Sequence, residues 1–351
     1  MQAQSRAVFI RAPFQLKIEE IPIPAIEHED EVLIRVRAVG ICGTDIHLAH
    51  GWAREWQRFG HETAATVVAC GPAVSDLVPG DLVAVHATTA CGVCEGCMNG
   101  DIRDCRNWIP SRQSRAFADY MLVQRRMLWK VTLLDPRAAT LIEPLSVALD
   151  LVRVADIQLG ETVAVVGPGP IGLMAIKLCR LRGAQRVIAL GTDRDRHRFA
   201  LAYELGADLT VDVTQADPVA AVRAATSGQG ADRVLVTAPV RVMNQALAMA
   251  RSGGVVSFLG FEVESEDAVV PINLNEFHFR RLQLRASYAA PATCFPLAEQ
   301  LLASRAIDPS RFVTHTFALD RLGEALRLVA AQGDGVVKAV CFPGEEPREA
   351  P

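Results

Sequence analysis

The sequence predicts an α/β protein in two parts, a β-rich region followed by a doubly wound parallel sheet. Three observations predict it. About the first 130 residues are short β-branched runs separated by Gly, Pro and acidic turns. From about residue 151, strand-like and helix-like segments alternate. Where that alternation starts, a strand runs directly into a glycine-rich turn and a helix.

Composition narrows the class. Half of the 351 residues are apolar and 22% are charged, enough for packed cores and too apolar for disorder. The net charge is −4 and the basic residues are dispersed, which argues against nucleic acid or an anionic membrane as partner. Arg6 and Arg11 flank only a short apolar run, so no export signal is read. The longest apolar stretch, 163–176, is broken by Gly167, Pro168, Gly169, Pro170 and Gly172, and falls short of the roughly 18 residues of a membrane span. A soluble, cytoplasmic chain is expected. Four of the nine cysteines lie within fifteen residues, a pattern that suits metal better than disulfides in that compartment.

Segments 7–10 and 32–39 read as strands, with a loop between them around Pro22, Pro24 and the acidic stretch 27–31. Segments 63–70 and 82–85 follow as strands, which puts Cys42 and His61 on loops between strands. A thiolate at Cys42, an imidazole at His61 and a carboxylate at Glu62 are the ligand types that hold a catalytic zinc. Thr44 and His47, two and five residues after Cys42, are placed to move a proton. The alternatives are a turn-capping hydroxyl and a surface histidine.

Cys91, Cys94, Cys97 and Cys105 follow the spacing C-x2-C-x2-C-x7-C. Three sulfurs three residues apart turn inward around one ion, and the fourth closes a tetrahedron. Such a closed site leaves no position for substrate, so its role is structural. Only Arg103 and Arg106 are basic nearby, which speaks against a nucleic-acid ribbon.

Segments 117–123 and 127–131 read as extended and 136–154 as helical. Pro144 suits a first helical turn, with Glu143 at its mouth. That carboxylate could reach a metal or its water, or serve only as a helix N-terminal charge. A strand over 162–166 then enters Gly167-Pro168-Gly169-Pro170-Ile171-Gly172 and a helix over 173–182. This is the strand–turn–helix context a dinucleotide-binding turn requires, with the pyrophosphate at the helix N-terminus. Strands over 187–190, 209–213, 233–237, 255–259 and 282–286 alternate with helices over 194–205, 218–226 and 242–251; Leu259 and Gly260 stand at a strand's exit, facing the nucleotide. Helices over 295–304 and 319–331, a strand over 336–342 and a loose tail over 344–351 complete the chain.

With these motifs in this order, the sequence resembles the zinc-containing branch of the medium-chain dehydrogenase/reductase superfamily, the alcohol, sorbitol and threonine dehydrogenases. The resemblance covers nearly the whole chain. Its markers are Gly40-x-Cys42-Gly43-Thr44-Asp45-x-His47, Gly60-His61-Glu62, the four-cysteine lobe, Glu143-Pro144-Leu145 and the glycine turn. It implies a GroES-like catalytic domain over 1–150 carrying the zinc lobe 91–105, a Rossmann domain over 151–289, and a return to the catalytic domain over 290–351.

By the same resemblance, Cys42, His61 and Glu62 ligate a catalytic zinc, and Glu143 ligates it or holds its water. Counting charges, Glu62 and Glu143 are expected to exchange with water rather than bind together. Thr44 takes the alcohol proton, His47 passes it toward solvent, and Asp45 orients an imidazole. The implied activity is hydride transfer between a secondary alcohol, such as a polyol or amino alcohol, and NAD(P), with two zinc ions per chain and a homodimeric or homotetrameric assembly. A zinc-free quinone or enoyl reductase, and a non-catalytic NAD(P)-binding protein, are the competing classes.

Three departures bear on detail. The acid expected at the end of the second Rossmann strand is displaced to Asp193, after Gly191-Thr192. Asp193 favours NAD, whereas Thr192, Arg194 and Arg198 offer donors for the 2′-phosphate of NADP. Asp150 stands where such relatives commonly carry histidine. The Cys42–His61 connection is short, and Trp52, Trp56 and Phe59 within it are candidates to line an apolar pocket, the alternative being plain core.

Overall fold

The computed structural model describes residues 4–100, 102–107, 109–110, 115–260, 268–288 and 291–344. Of the tail expected over 344–351, residues 345–351 lie outside them. Two compact units form: Met1–Glu143 with Ala290–Pro351, and Pro144–Ala289. The helix Ile142–Ala155 carries the chain from the first to the second.

The first unit is organised on one mixed sheet. Its strands run in the spatial order Leu128–Val131, Leu82–Val85, Glu62–Cys70, Glu31–Gly40, Lys338–Phe342, Val313–Ala318, and Tyr120–Gln124 also pairs with Glu31–Gly40. Strand Glu31–Gly40 alternates Val32, Ile34, Val36 and Ala38 into the interior with Arg35 and Arg37 outward, the period of a strand with one covered face. Val8, Ile10, Phe59, Phe117, Leu322 and Leu326 join this core. Two strands longer than two residues escape the sequence reading. Gln15–Pro22 pairs antiparallel with Gln4–Arg11; its charges and the closing Pro22 conceal it in the sequence. It is an edge strand, where charge is tolerated and Pro22 can terminate pairing. Val313–Ala318 is a short edge strand carrying Thr and His rather than an aliphatic run.

Register in this sheet places the functional side chains. Gly40 lies opposite Glu62 on one side and Val340 on the other. Side chains two residues apart share a face, so Lys338 emerges on the face that carries Glu62.

The second unit is a six-stranded sheet, all parallel, in the chain order third, second, first, fourth, fifth, sixth: Leu209–Asp212, Arg186–Gly191, Thr162–Val166, Ala231–Val236, Ala250–Phe258 and Gln283–Ala286. The order reverses beside Thr162–Val166, the place where such sheets bind ligands. The fifth strand starts at Ala250, earlier than the expected 255–259, so Leu259 and Gly260 lie just past its end.

Candidate active site

One metal-binding atom each from Cys42, His61 and Glu62 lies within 4.8 Å of the other two. The sequence reading put Cys42 and His61 on loops between strands; the local structure is tighter. Cys42 caps the helix Gly43–His47, and Glu62 begins the strand Glu62–Cys70 directly after His61. The helix starts there because the Asp45 carboxylate accepts the Cys42 backbone N–H at 2.9 Å in a capping box. Thr44, two residues after Cys42, has its hydroxyl 3.8 Å from Cys42 Sγ. Gly40 makes room for Glu62: a Cβ at Gly40 would lie 2.1 Å from Glu62 Oε2.

A residue that sequence reasoning passed over completes the cluster. The Lys338 ammonium donates to both Glu62 oxygens, at 2.6 and 2.7 Å, and to the Ile41 carbonyl at 3.1 Å. Both side chains are fully enclosed, 3% and 1% exposed. The sequence signal was a single lysine inside the apolar run 336–342. Such a lysine in a buried strand demands a buried partner.

The surroundings are rich in buried carboxylates. Burial pushes Glu143 up to about 7; His61 holds it down and Glu62 raises it further. Asp45 is pushed up to about 6 by burial, against the pull of His61. Its Oδ2 is bonded, and its Oδ1 is buried without a hydrogen-bond partner. Burial lowers the His61 imidazole, but Cys42, Asp45 and Glu143 together raise it well above its usual range. Burial lowers Lys338 too, and Glu62 and Cys42 outweigh it. One cysteine sulfur and three carboxyl groups therefore face an imidazole and one ammonium. The sulfur–nitrogen–oxygen donor set of Cys42, His61 and Glu62 is that of catalytic zinc with a coordination position left open. Glu143, in the first turn of Ile142–Ala155, stands outside the group of mutually close ligand atoms, yet its charge acts on His61.

The second cluster is local. Ligand sulfurs of Cys91, Cys94, Cys97 and Cys105 all lie within 4.8 Å of one another. Cys94 Sγ is 3.6 Å from Cys97 Sγ, and the Cys91 backbone N–H donates to Cys105 Sγ at 3.3 Å. Backbone N–H groups of Cys97 and Arg106 lower the Cys94 thiol to about 6. Backbone donors that favour one thiolate suit a four-sulfur metal site.

In the second unit, Gly167 has φ +99°, which only glycine adopts freely, and helix Pro170–Leu181 follows. A Cβ on Gly172 would lie 2.0 Å from the Gly167 carbonyl oxygen, so the turn closes only on glycine. The Thr237 hydroxyl, unremarked in the sequence, donates to the same carbonyl at 2.5 Å and pins the turn. Ile171 lies in the first turn of the helix, next to Pro170. Asp193 is exposed and opens a 3-10 turn after strand Arg186–Gly191. Two of the candidate phosphate donors are engaged elsewhere: Arg198 is buried against Asp195 at 3.1 Å, and the Thr192 hydroxyl donates to Asp195 at 3.0 Å. Gly260, with φ +105°, follows Leu259, whose N–H donates to the Val236 carbonyl at 3.2 Å. Asp150 accepts from the Ser287 hydroxyl at 2.6 Å and pairs with Arg153, a buried polar bond internal to the second unit.

The expected apolar pocket wall is corrected. Phe59 is core, packed 4.6 Å from Phe117. Trp56 lies under the Arg11 and Lys17 cations, each 4.8 Å from its ring centroid. Only Trp52 faces the catalytic residues, stacked on His47. The reading overlooked that flanking cations compete for an aromatic face.

Residues 28–133 match the family description "Alcohol dehydrogenase GroES-like domain", and residues 170–304 match "Zinc-binding dehydrogenase". The L-threonine 3-dehydrogenase of Bacillus subtilis (strain 168) is 34% identical over 336 residues, 92% of this chain and 94% of that protein. The sorbitol dehydrogenase of the same strain is 29% identical, covering 94% of each. Among solved structures, a candidate zinc-binding dehydrogenase from Sinorhizobium meliloti 1021, bound to NADP, superposes with a TM-score of 0.85 at 33% identity, covering 97% of this chain and 100% of that one.

Proposed function

This chain belongs to the zinc-binding, alcohol-dehydrogenase-type oxidoreductases, and from that premise we propose how its own residues interconvert a secondary alcohol and the corresponding ketone. The observation that carries the reading is the convergence of Cys42, His61 and Glu62 within 4.8 Å, with the Thr44 hydroxyl beside Cys42.

Cys42, His61 and Glu62 hold a catalytic zinc, and Glu143, whose charge acts on His61, holds its water or exchanges with Glu62. When bound, zinc lowers the alcohol's pKa and polarises the carbonyl, and the nicotinamide exchanges the hydride. Thr44 receives the alcohol proton and His47, exposed on the same short helix, hands it to solvent. Asp45 fixes the Cys42 end of the helix and faces His61. Lys338 alters the charge count: with Glu62 paired to an ammonium, a second carboxylate on the metal costs less Lewis acidity than counting ligands alone implies. Cys91, Cys94, Cys97 and Cys105 hold a second, structural zinc.

The turn Gly167–Gly172 receives the pyrophosphate, and Leu259 and Gly260 border the nicotinamide. Asp193 takes the adenosine ribose, and the prior engagement of Arg198 and Thr192 by Asp195 supports NAD over NADP. The substrate is a small polar secondary alcohol of the polyol or amino-alcohol type. No helix among the described residues is long and apolar enough to cross a membrane, in keeping with a cytoplasmic enzyme. The outer strand Gln283–Ala286 leaves a sheet edge open to a second copy, in keeping with a homodimer or homotetramer, which sedimentation velocity checks.

A matrix of NAD and NADP against secondary alcohols, run beside metal analysis, tests the reading. Two zinc ions per chain and turnover with NAD are expected. Fewer than two zinc ions, or no reduction of either cofactor across the panel, would overturn it.

A further inference from the structure

The helix that carries Thr44 and His47 does not end at His47. It widens into a π-helical turn, Leu48–Trp52, closed by the Ala53 N–H donating to the Leu48 carbonyl at 3.2 Å. In an α-helix, residues five apart point about 140° away from each other, so Trp52 would face away from His47. Bonding from i to i+5 adds close to one residue per turn and swings position i+5 back over position i. The outcome is a flat stack: the His47 and Trp52 ring centroids are 4.5 Å apart and the planes are 14° from parallel.

His47 is exposed and Trp52 half-buried. An exposed imidazole ordinarily samples several rotamers. An indole lying parallel to it removes those in which the ring tips out of the stack, and its face favours the imidazolium that forms in transit. Short π-turns inside helices are rare, and they concentrate at functional sites.

We propose that Trp52 is a positioning residue for proton transfer, holding the His47 ring at the angle from which it receives the proton on Thr44 and releases one to water. This rests on the relay reading of Thr44 and His47. The step moves protons only. The alcohol O–H breaks, Thr44 Oγ1 gains that proton and passes its own to one His47 nitrogen, and the other nitrogen loses its proton to water. The hydride leaves the same alcohol carbon for NAD.

The test uses zinc-loaded enzyme saturated with cofactor and an alcohol from the active panel. Trp52→Leu removes the stack, Trp52→Met repeats the removal with a more pliable side chain in case the first variant misfolds, and Trp52→Phe keeps an aromatic face. Gly51→Ala is the neutral control, since its Cβ meets nothing within 4 Å. Loss of alignment is expected to lower kcat ~10- to 100-fold with KM nearly unchanged, and Trp52→Phe is expected to recover most of it. In the His47→Gln background Trp52→Leu is expected to cost nothing further. Independently of turnover, the His47 ring protons are expected to show an upfield ring-current shift by NMR that Trp52→Leu abolishes and Trp52→Phe retains. A raised KM with unchanged kcat overturns the proposal, as does an equal loss in the His47→Gln background. If His47→Gln itself turns over like the parent enzyme, the relay reading fails; if His47→Gln is slow and Trp52→Leu is not, only the role of Trp52 fails.

Discussion

The two cysteine-bearing clusters are built on opposite plans. The four thiols at 91–105 come from one loop of fifteen residues, and their donors are backbone N–H groups of the same loop. The cluster at Cys42, His61 and Glu62 draws on a helix start, a strand start, a glycine gap in the neighbouring strand and a lysine 276 residues beyond Glu62. It also surrounds itself with buried charge, at Asp45, Glu143 and Lys338. A closed, local set of soft ligands suits an ion held for structure. An open set held by distant elements, in a field of carboxylates whose protonation is shifted toward neutrality, is equipped to change its ligands and move protons.

That contrast can be broken in several ways. The largest expected effect is on turnover: Cys42→Ser should lower kcat at least ~10³-fold, since zinc chemistry contributes several kcal/mol to the barrier, while the thermal midpoint stays near the parent's. Steady-state kinetics beside a melt decide it, and a large stability loss would erase the distinction between the clusters. Next, Lys338→Met should destabilise zinc-free protein by about 3–5 kcal/mol, because it strands the buried Glu62 carboxylate. Denaturant unfolding measures this; a change under about 1 kcal/mol would mean the pair is dispensable. In a Glu62→Gln background the same substitution should cost far less.

Acid titration sharpens the comparison through a buried group outside both clusters. His86 is 6% exposed, lies against Phe295 with centroids 3.9 Å apart, and has an Nδ1 without a hydrogen-bond partner. Burial, with Arg125 adding repulsion, lowers its pKa from 6.5 to about 4. The folded chain therefore binds fewer protons than the unfolded chain in that window, so stability rises with pH there. It should fall by about 3 kcal/mol as pH drops from 6.5 to 4. His86→Phe should flatten that part of the profile; an unchanged acid slope would rule His86 out as its source, because Asp45 and Glu143, raised by burial, bind more protons in the folded chain and give a slope of the opposite sign. The smallest effect belongs to the lobe. Cys94→Ser should lose one zinc per chain and about 2 kcal/mol, with kcat within a few-fold. Metal analysis with calorimetry reads both.

Much of this was legible in the sequence, and what was not shares a cause. Cys91 to Cys105, Gly167 to Gly172 and Cys42 with His61 and Glu62 are local or ordered motifs whose chemistry is carried by residue type and spacing. The alternation from residue 151 onward gave the parallel sheet. Lys338 was missed because its meaning comes from register across three strands, Lys338–Phe342 beside Glu31–Gly40 beside Glu62–Cys70. Thr237 was missed for the same reason, since it meets Gly167 only across paired strands. The π-turn over Leu48–Trp52 left no mark in composition; it concerns the winding of five residues, and it sent Trp52 and Trp56 to different neighbours. Gln15–Pro22 was missed because an exposed edge strand tolerates the charges and prolines that otherwise mark a loop.

Lys338 also sets an order of assembly. Its strand is inserted between Glu31–Gly40 and Val313–Ala318, inside the sheet rather than at its rim. During synthesis the ribosome has finished the whole Pro144–Ala289 unit before that strand exists. Until then Glu62 lacks the ammonium that pairs with it in the finished sheet. The Cys42–Glu62 cluster is thus made from residues encoded well before the strand that completes it. A chain arrested before residue 338 would present metal-binding side chains without the cation that balances them.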